Sequence, residues 1–85
     1  MNVSINTKYN IGDEVWFADY VYDTFYPCKY SGKITEIDIE VANEQICVLY
    51  WVSVECDGYR IYEEYSEDVC FGTYEECTKW CENRN

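Results

Sequence analysis

Between Glu36 and Val41 the chain alternates strictly, with Glu36, Asp38 and Glu40 on one side and Ile37, Ile39 and Val41 on the other. An extended strand, whose successive side chains point to opposite faces, sorts that pattern into one wet surface and one buried surface. The next segment, Gln45 to Cys56, is apolar on both faces: Ile46, Val48, Tyr50, Val52 and Val54 alternate against Cys47, Leu49 and Trp51. Asp57-Gly58 follows, a favoured pair for a two-residue type I′ hairpin turn. Together these signals confine the chain to a mainly β fold built from antiparallel strands.

The remaining segments fit around that hairpin. Ile11-Gly12-Asp13 reads as a turn into a first strand, Glu14 to Ala18, with Val15 and Phe17 opposite Trp16. Asp19 to Cys28 reads as a loop rich in Tyr and Asp that holds the lone proline, Pro27. The alternating strand is expected from about Tyr30 to Val41, with Gly32 marking a bulge or bend. A strand from Tyr59 to Glu63 and a short one near Val69 to Phe71 complete the sheet. Thr73-Tyr74-Glu75-Glu76 is a capping box, in which Thr73 and Glu76 satisfy each other's backbone amides. It predicts a helix over about 74–83, with Tyr74, Cys77, Trp80 and Cys81 on one face. A chain of 85 residues suits one domain, 1–85, with its strands within 13–71.

About five short strands followed by a capped helix resemble a small SH3-like barrel. Gly12-Asp13-Glu14-Val15, and Gly32-Lys33-Ile34 with Ile37, resemble the opening strands of KOW- and Tudor-type barrels. The ending, Val69-Cys70-Phe71-Gly72-Thr73-Tyr74-Glu75-Glu76, is similar to the finish of small SH3-like proteins of Firmicutes phages and mobile elements. The resemblance implies a phage-type protein working in the host cytoplasm. KOW-type domains bind RNA or ribosomal partners through basic loops, whereas the loops here are acidic.

Charge narrows the partner. Asp and Glu number 17 against 6 Lys and Arg, with no His, for a net charge of −11. Such a surface repels nucleic acid, anionic lipid and nucleotides and is drawn to basic clefts. A phosphate-bearing ligand would require Lys8, Lys29, Lys33 and Arg60 to converge in one pocket. The first residues, Met1 to Ile11, lack the basic-then-apolar order of a leader, and the longest apolar run is Ile46 to Val52. These point to a cytoplasmic protein that does not enter a membrane.

Six cysteines, at 28, 47, 56, 70, 77 and 81, are read as reduced thiols, with disulfides or a zinc site from Cys28, Cys70, Cys77 and Cys81 as the alternatives. No His serves as a base for Ser4, Ser31, Ser53 or Ser66, and no Gly-rich phosphate loop occurs. The expectation is therefore no enzyme, no catalytic residue, no cofactor and no resident metal.

What is left is a binding surface. Glu36, Asp38 and Glu40 form a carboxylate ladder spaced about 6.6 Å per two residues. A second acidic run carries Tyr62, Glu63, Glu64, Tyr65, Glu67, Asp68, Glu75 and Glu76, with no Lys or Arg between Ile61 and Thr78. The acids read either as a solvated shell or as a mimic of nucleic-acid phosphates. Tyrosines interleaved with them favour a protein contact, since Tyr supplies large area at small entropy cost. Two functions follow as expectations. One is an inhibitor that blocks the DNA- or RNA-binding cleft of a host nucleic-acid enzyme, a CRISPR nuclease first, which would make it an anti-CRISPR protein. The other is a non-catalytic adaptor or homodimer that binds through the strand Gln45 to Cys56.

Overall fold

The computed structural model describes residues 6–85. Ser4, and the start of the segment read for a leader, lie outside the described residues. The fold is mainly β with one C-terminal helix. β1 (Glu14–Val21), β2 (Thr24–Pro27), β3 (Gly32–Ala42), β4 (Gln45–Cys56) and β5 (Tyr59–Ser66) are antiparallel, in the order β2-β1-β3-β4-β5. A 3-10 turn, Glu67–Val69, leads to β6 (Cys70–Phe71), which pairs with β1, and then to α1 (Tyr74–Arg84).

β1 changes partner along its length. Glu14 and Val15 pair with β3, Trp16 and Phe17 with β6, and Ala18 to Val21 with β2. Among the described residues β5 pairs with β4 alone, and no strand pairing there closes the sheet into a cylinder. β1 and β5 meet through side chains instead. Phe17 stacks on Tyr65 with ring centroids 4.2 Å apart, and the Tyr65 hydroxyl donates to Asp19 at 3.0 Å.

Two expectations need correction. Asp19 to Cys28 is a hairpin rather than a loop, with Val21 opposite Thr24 and Ala18 opposite Pro27. Its turn residues, Tyr22 and Asp23, have φ of 50° and 62°. A two-residue turn with both φ positive usually carries Asn or Gly, and Tyr22 hides that signature. The irregularity in β3 falls at Thr35 and not at Gly32: Ile34 faces Val52, Glu36 faces Trp51, and Thr35 is the extra residue. The Thr35 hydroxyl donates to the Trp51 carbonyl at 3.3 Å. Gly32 serves close packing, because a Cβ there would lie 3.0 Å from Val52 Cβ and from Val54 Cγ2.

Val15, Phe17, Ile34, Tyr50, Val52, Val54 and Cys70 form the main core. A second cluster joins Ala18, Cys77 and Cys81 to Trp16, Phe25, Phe71 and Trp80 beneath α1. The helix begins where the Thr73 hydroxyl accepts the Glu76 amide at 3.1 Å. Its far end is tied to β2 by the Asn85 side chain, which accepts from the Phe25 amide at 3.1 Å and donates to its carbonyl at 2.9 Å. α1 therefore packs chiefly on β2, β1 and β6, away from the main hairpin of β3 and β4.

Candidate functional site

Residues directly opposite in a sheet share a face, so the register reads out the surface. One row runs Glu14, Lys33, Ser53, Tyr62 across β1, β3, β4 and β5. The next runs Glu36, Trp51, Glu64, and then come Asp38, Leu49, Ser66 and Glu40, Cys47. Glu36, Asp38 and Glu64 thus flank Trp51 on one outer face, and Glu40 continues the ladder opposite Cys47. The Trp51 indole N–H donates to the Asp38 carboxylate at 2.8 Å, anchoring the half-buried ring among the acids. Partial desolvation, a hydrogen bond and repulsion with Asp38, and the charges of Glu40 and Glu36 raise the Glu64 carboxyl above the ordinary carboxylate range. Glu64 thus feels all three carboxylates of the β3 ladder.

The extra residue Thr35 makes this surface compatible with the core. Ile34 is buried and Ile37 packs against the same cluster, yet they stand three residues apart, a spacing that a regular strand would split between faces. The bulge restores the phase, so Ile34 and Ile37 face inward while Lys33 and Glu36 both face outward.

The second acidic run does not join this surface as a whole. Tyr62 and Glu64 share the outer face, whereas Glu63 and Tyr65 lie on the opposite one, facing Val52 and Tyr50. The Tyr65 hydroxyl sits between the Asp19 and Glu63 carboxylates, and burial followed by the Glu63 bond raises its phenol pKa. Glu67 is part of the scaffold: it accepts from the buried Tyr50 hydroxyl and from the Lys8 amide. Asp68 is exposed in the 3-10 turn, and Glu75 and Glu76 occupy the first turn of α1. Burial and then the Glu76 charge raise the Tyr9 phenol, with a smaller effect from Glu67, which places both acids near the N-terminal segment.

Trp51 is the site residue that sequence reasoning left out, and its signal was its place opposite Glu36 once the strands were paired. On the other face of the same hairpin, Ile39, Val41 and Ile46 are 44%, 70% and 48% exposed, extending the core face past the body of the fold. The cysteines are free thiols. Burial, then the Glu67 charge, pushes Cys70 up to about 12, and burial, then the Cys81 thiol, pushes Cys77 up to about 12. Both act as small apolar side chains at neutral pH. Among the described residues no three Cys, Asp or Glu converge on a point that could hold a metal ion. Nor is any helix there long and apolar enough to cross a membrane. No family model, curated protein or solved structure matches this chain.

Proposed function

We propose that the protein is a non-catalytic inhibitor that seats the outer face of β3, β4 and β5 in the basic nucleic-acid groove of a host nucleic-acid enzyme. The observation that carries this reading is the grouping of Glu36, Asp38 and Glu64 around Trp51, with Glu40 farther along the same face. A basic groove relieves the mutual repulsion of the four acids, and guanidinium groups both pair with carboxylates and stack on an indole. Tyr62, at the edge of the same face, extends the contact. Defence nucleases, CRISPR effectors first, present grooves of this charge and are the target class assigned here.

Competition for DNA by a panel of such nucleases tests the reading. Micromolar protein at low salt displaces DNA, the triple variant E36K/D38K/E40K does not, and E75K/E76K on the helix still does. Failure of the unaltered protein to displace DNA from any member overturns it.

The exposed stripe of Ile39, Val41 and Ile46 favours a second reading, an adaptor or homodimer joined through the hairpin. Sedimentation across a concentration series separates the two. Self-association that V41D abolishes supports the dimer, and a monomer at every concentration removes it.

A further inference from the structure

Three of the six Lys and Arg of this acidic chain converge on one cleft. Lys29, Lys33 and Arg60 line a cavity of about 480 Å³ together with Tyr30, Ser31 and Ser53. That volume lies within the roughly 300–1,000 Å³ of small-molecule sites. Lys8, the fourth cation that the sequence offered, is not part of the lining.

Two carboxylates, Glu14 and Glu55, also border the cleft, and both are engaged. Glu14 accepts from the Ser31 hydroxyl, and Glu55 lies 3.6 Å from the Arg60 guanidinium. Among the described residues Lys29 and Lys33 form no ion pair, although Lys33 stands directly opposite Glu14 in the sheet. Ser53, only 7% exposed, accepts from Arg60 at 2.6 Å. That bond holds the half-exposed guanidinium beside Ser53 in the cleft lining. Among the described residues no acceptor takes the Ser53 hydroxyl proton, which leaves it to donate to a guest.

The geometry points to a binding site for the phosphoryl group of a small phosphorylated molecule, held by Lys29, Lys33 and Arg60 at the base of β3, β4 and β5. Two ammonium groups and a guanidinium supply charge-assisted donors, and the Ser53 hydroxyl adds a neutral one. The overall negative charge of the protein does not forbid this. At physiological ionic strength charges are screened beyond about 8 Å, whereas the lining cations touch the guest. The cleft adjoins the acidic row on the same outer face, and phosphate binding is read without any nuclease, so the two proposals are tested separately.

Calorimetric titration of the full chain with inorganic phosphate, a sugar phosphate and ATP tests the assignment and tells which source of the phosphoryl group fits. At least one of these probes binds saturably with one-to-one stoichiometry. K29Q/K33Q, at two exposed positions, removes both ammonium contacts and weakens it by about tenfold or more, with an unchanged melting curve. K79Q, on α1 outside the cleft, binds as the unaltered protein does. No saturable binding by any of the three probes, or an equal loss in K79Q, overturns the assignment.

Discussion

Replacing Tyr50 by Phe isolates one bond network and decides whether Glu67 belongs to the scaffold or to the binding surface. The Tyr50 ring is fully buried, and its hydroxyl accepts the Tyr9 amide at 3.2 Å while donating to the Glu67 carboxylate. Burial and that carboxylate raise the phenol pKa, so it remains a donor at neutral pH. Phe fills the same ring volume and leaves no cavity, so the loss is confined to two hydrogen bonds. A bond to a neutral amide contributes about 1 kcal/mol and one to a charged group about 1.5–3 kcal/mol. Glu67 keeps the Lys8 amide at 3.0 Å, which places the total toward the lower end. Y50F is therefore expected to cost about 2–3 kcal/mol. In a domain of this size that lowers Tm by about 10–20 °C. Glu67→Gln retains an oxygen acceptor for both donors and costs about 1 kcal/mol. Urea unfolding at pH 7 followed by tryptophan fluorescence measures both, and Y50F falling within about 0.5 kcal/mol of the unaltered protein would refute the reasoning. On the proposed inhibitor reading, DNA displacement per folded molecule stays unchanged in Y50F, because Glu67 binds the Lys8 amide and the Tyr50 hydroxyl and not Trp51.

Other expectations follow from the same contacts. Because the folded state raises the Glu64 pKa, the protein binds that proton more tightly folded than unfolded. The stabilising contribution is complete below the unfolded value, about 4.3, and is lost as pH rises through the folded one; E64Q removes this dependence from stability measured between pH 4 and 7. Gly32→Ala pushes a methyl group against Val52 and Val54 and costs about 1–3 kcal/mol, read from chemical unfolding. Ellman's reagent labels the exposed Cys47 first, while Cys70, Cys77 and Cys81, all buried, react only on unfolding. The raised pKa values of Cys70 and Cys77 stabilise the fold below about 8.5, the unfolded value. That stability drains away as pH climbs toward about 12, which alkaline unfolding curves detect.

Where local pattern and tertiary demand agree, the sequence is transparent. Gln45–Cys56 is the strand that its two apolar faces announce, and Asp57-Gly58 takes φ of 51° and 83° at the turn as that dipeptide prefers. Thr73 caps the helix through Glu76 for the same reason. The hairpin at Tyr22-Asp23 stayed hidden because tertiary packing of Phe25 on Trp80, 4.7 Å between ring centroids, outweighs the poor turn propensity of Tyr. The site was legible only in part. Alternation places Glu36, Asp38 and Glu40 together, but the choice of Glu64 over Glu63 depends on a cross-strand register that no local pattern contains. A finer signal was present: Ile34 and Ile37, both apolar and three apart, require a residue out of phase between them, and Thr35 is that residue.

The arrangement of charge on the outer face argues against a shell whose sole purpose is solubility. A solubility shell is best served by interspersed signs, which gain mutual attraction and avoid strong local fields. Here Lys33 and Glu36 emerge on the same face in successive rows, yet among the described residues the ion pair formed is Arg60 with Glu55. Lys29, Lys33 and Arg60 gather at the base of the sheet around Ser53, beside Glu14 and Glu55, while the hairpin beyond Trp51 carries acids without cations. Keeping them apart forgoes ion pairs worth a few tenths of a kcal/mol to about 1 kcal/mol each. Glu64 keeps a raised pKa, from desolvation first, then its hydrogen bond to Asp38 and the neighbouring carboxylate charges. Like charges along the hairpin and ammonium groups that form no ion pair among the described residues are the two features on which the proposed contacts, with a basic groove and with a phosphoryl group, rest.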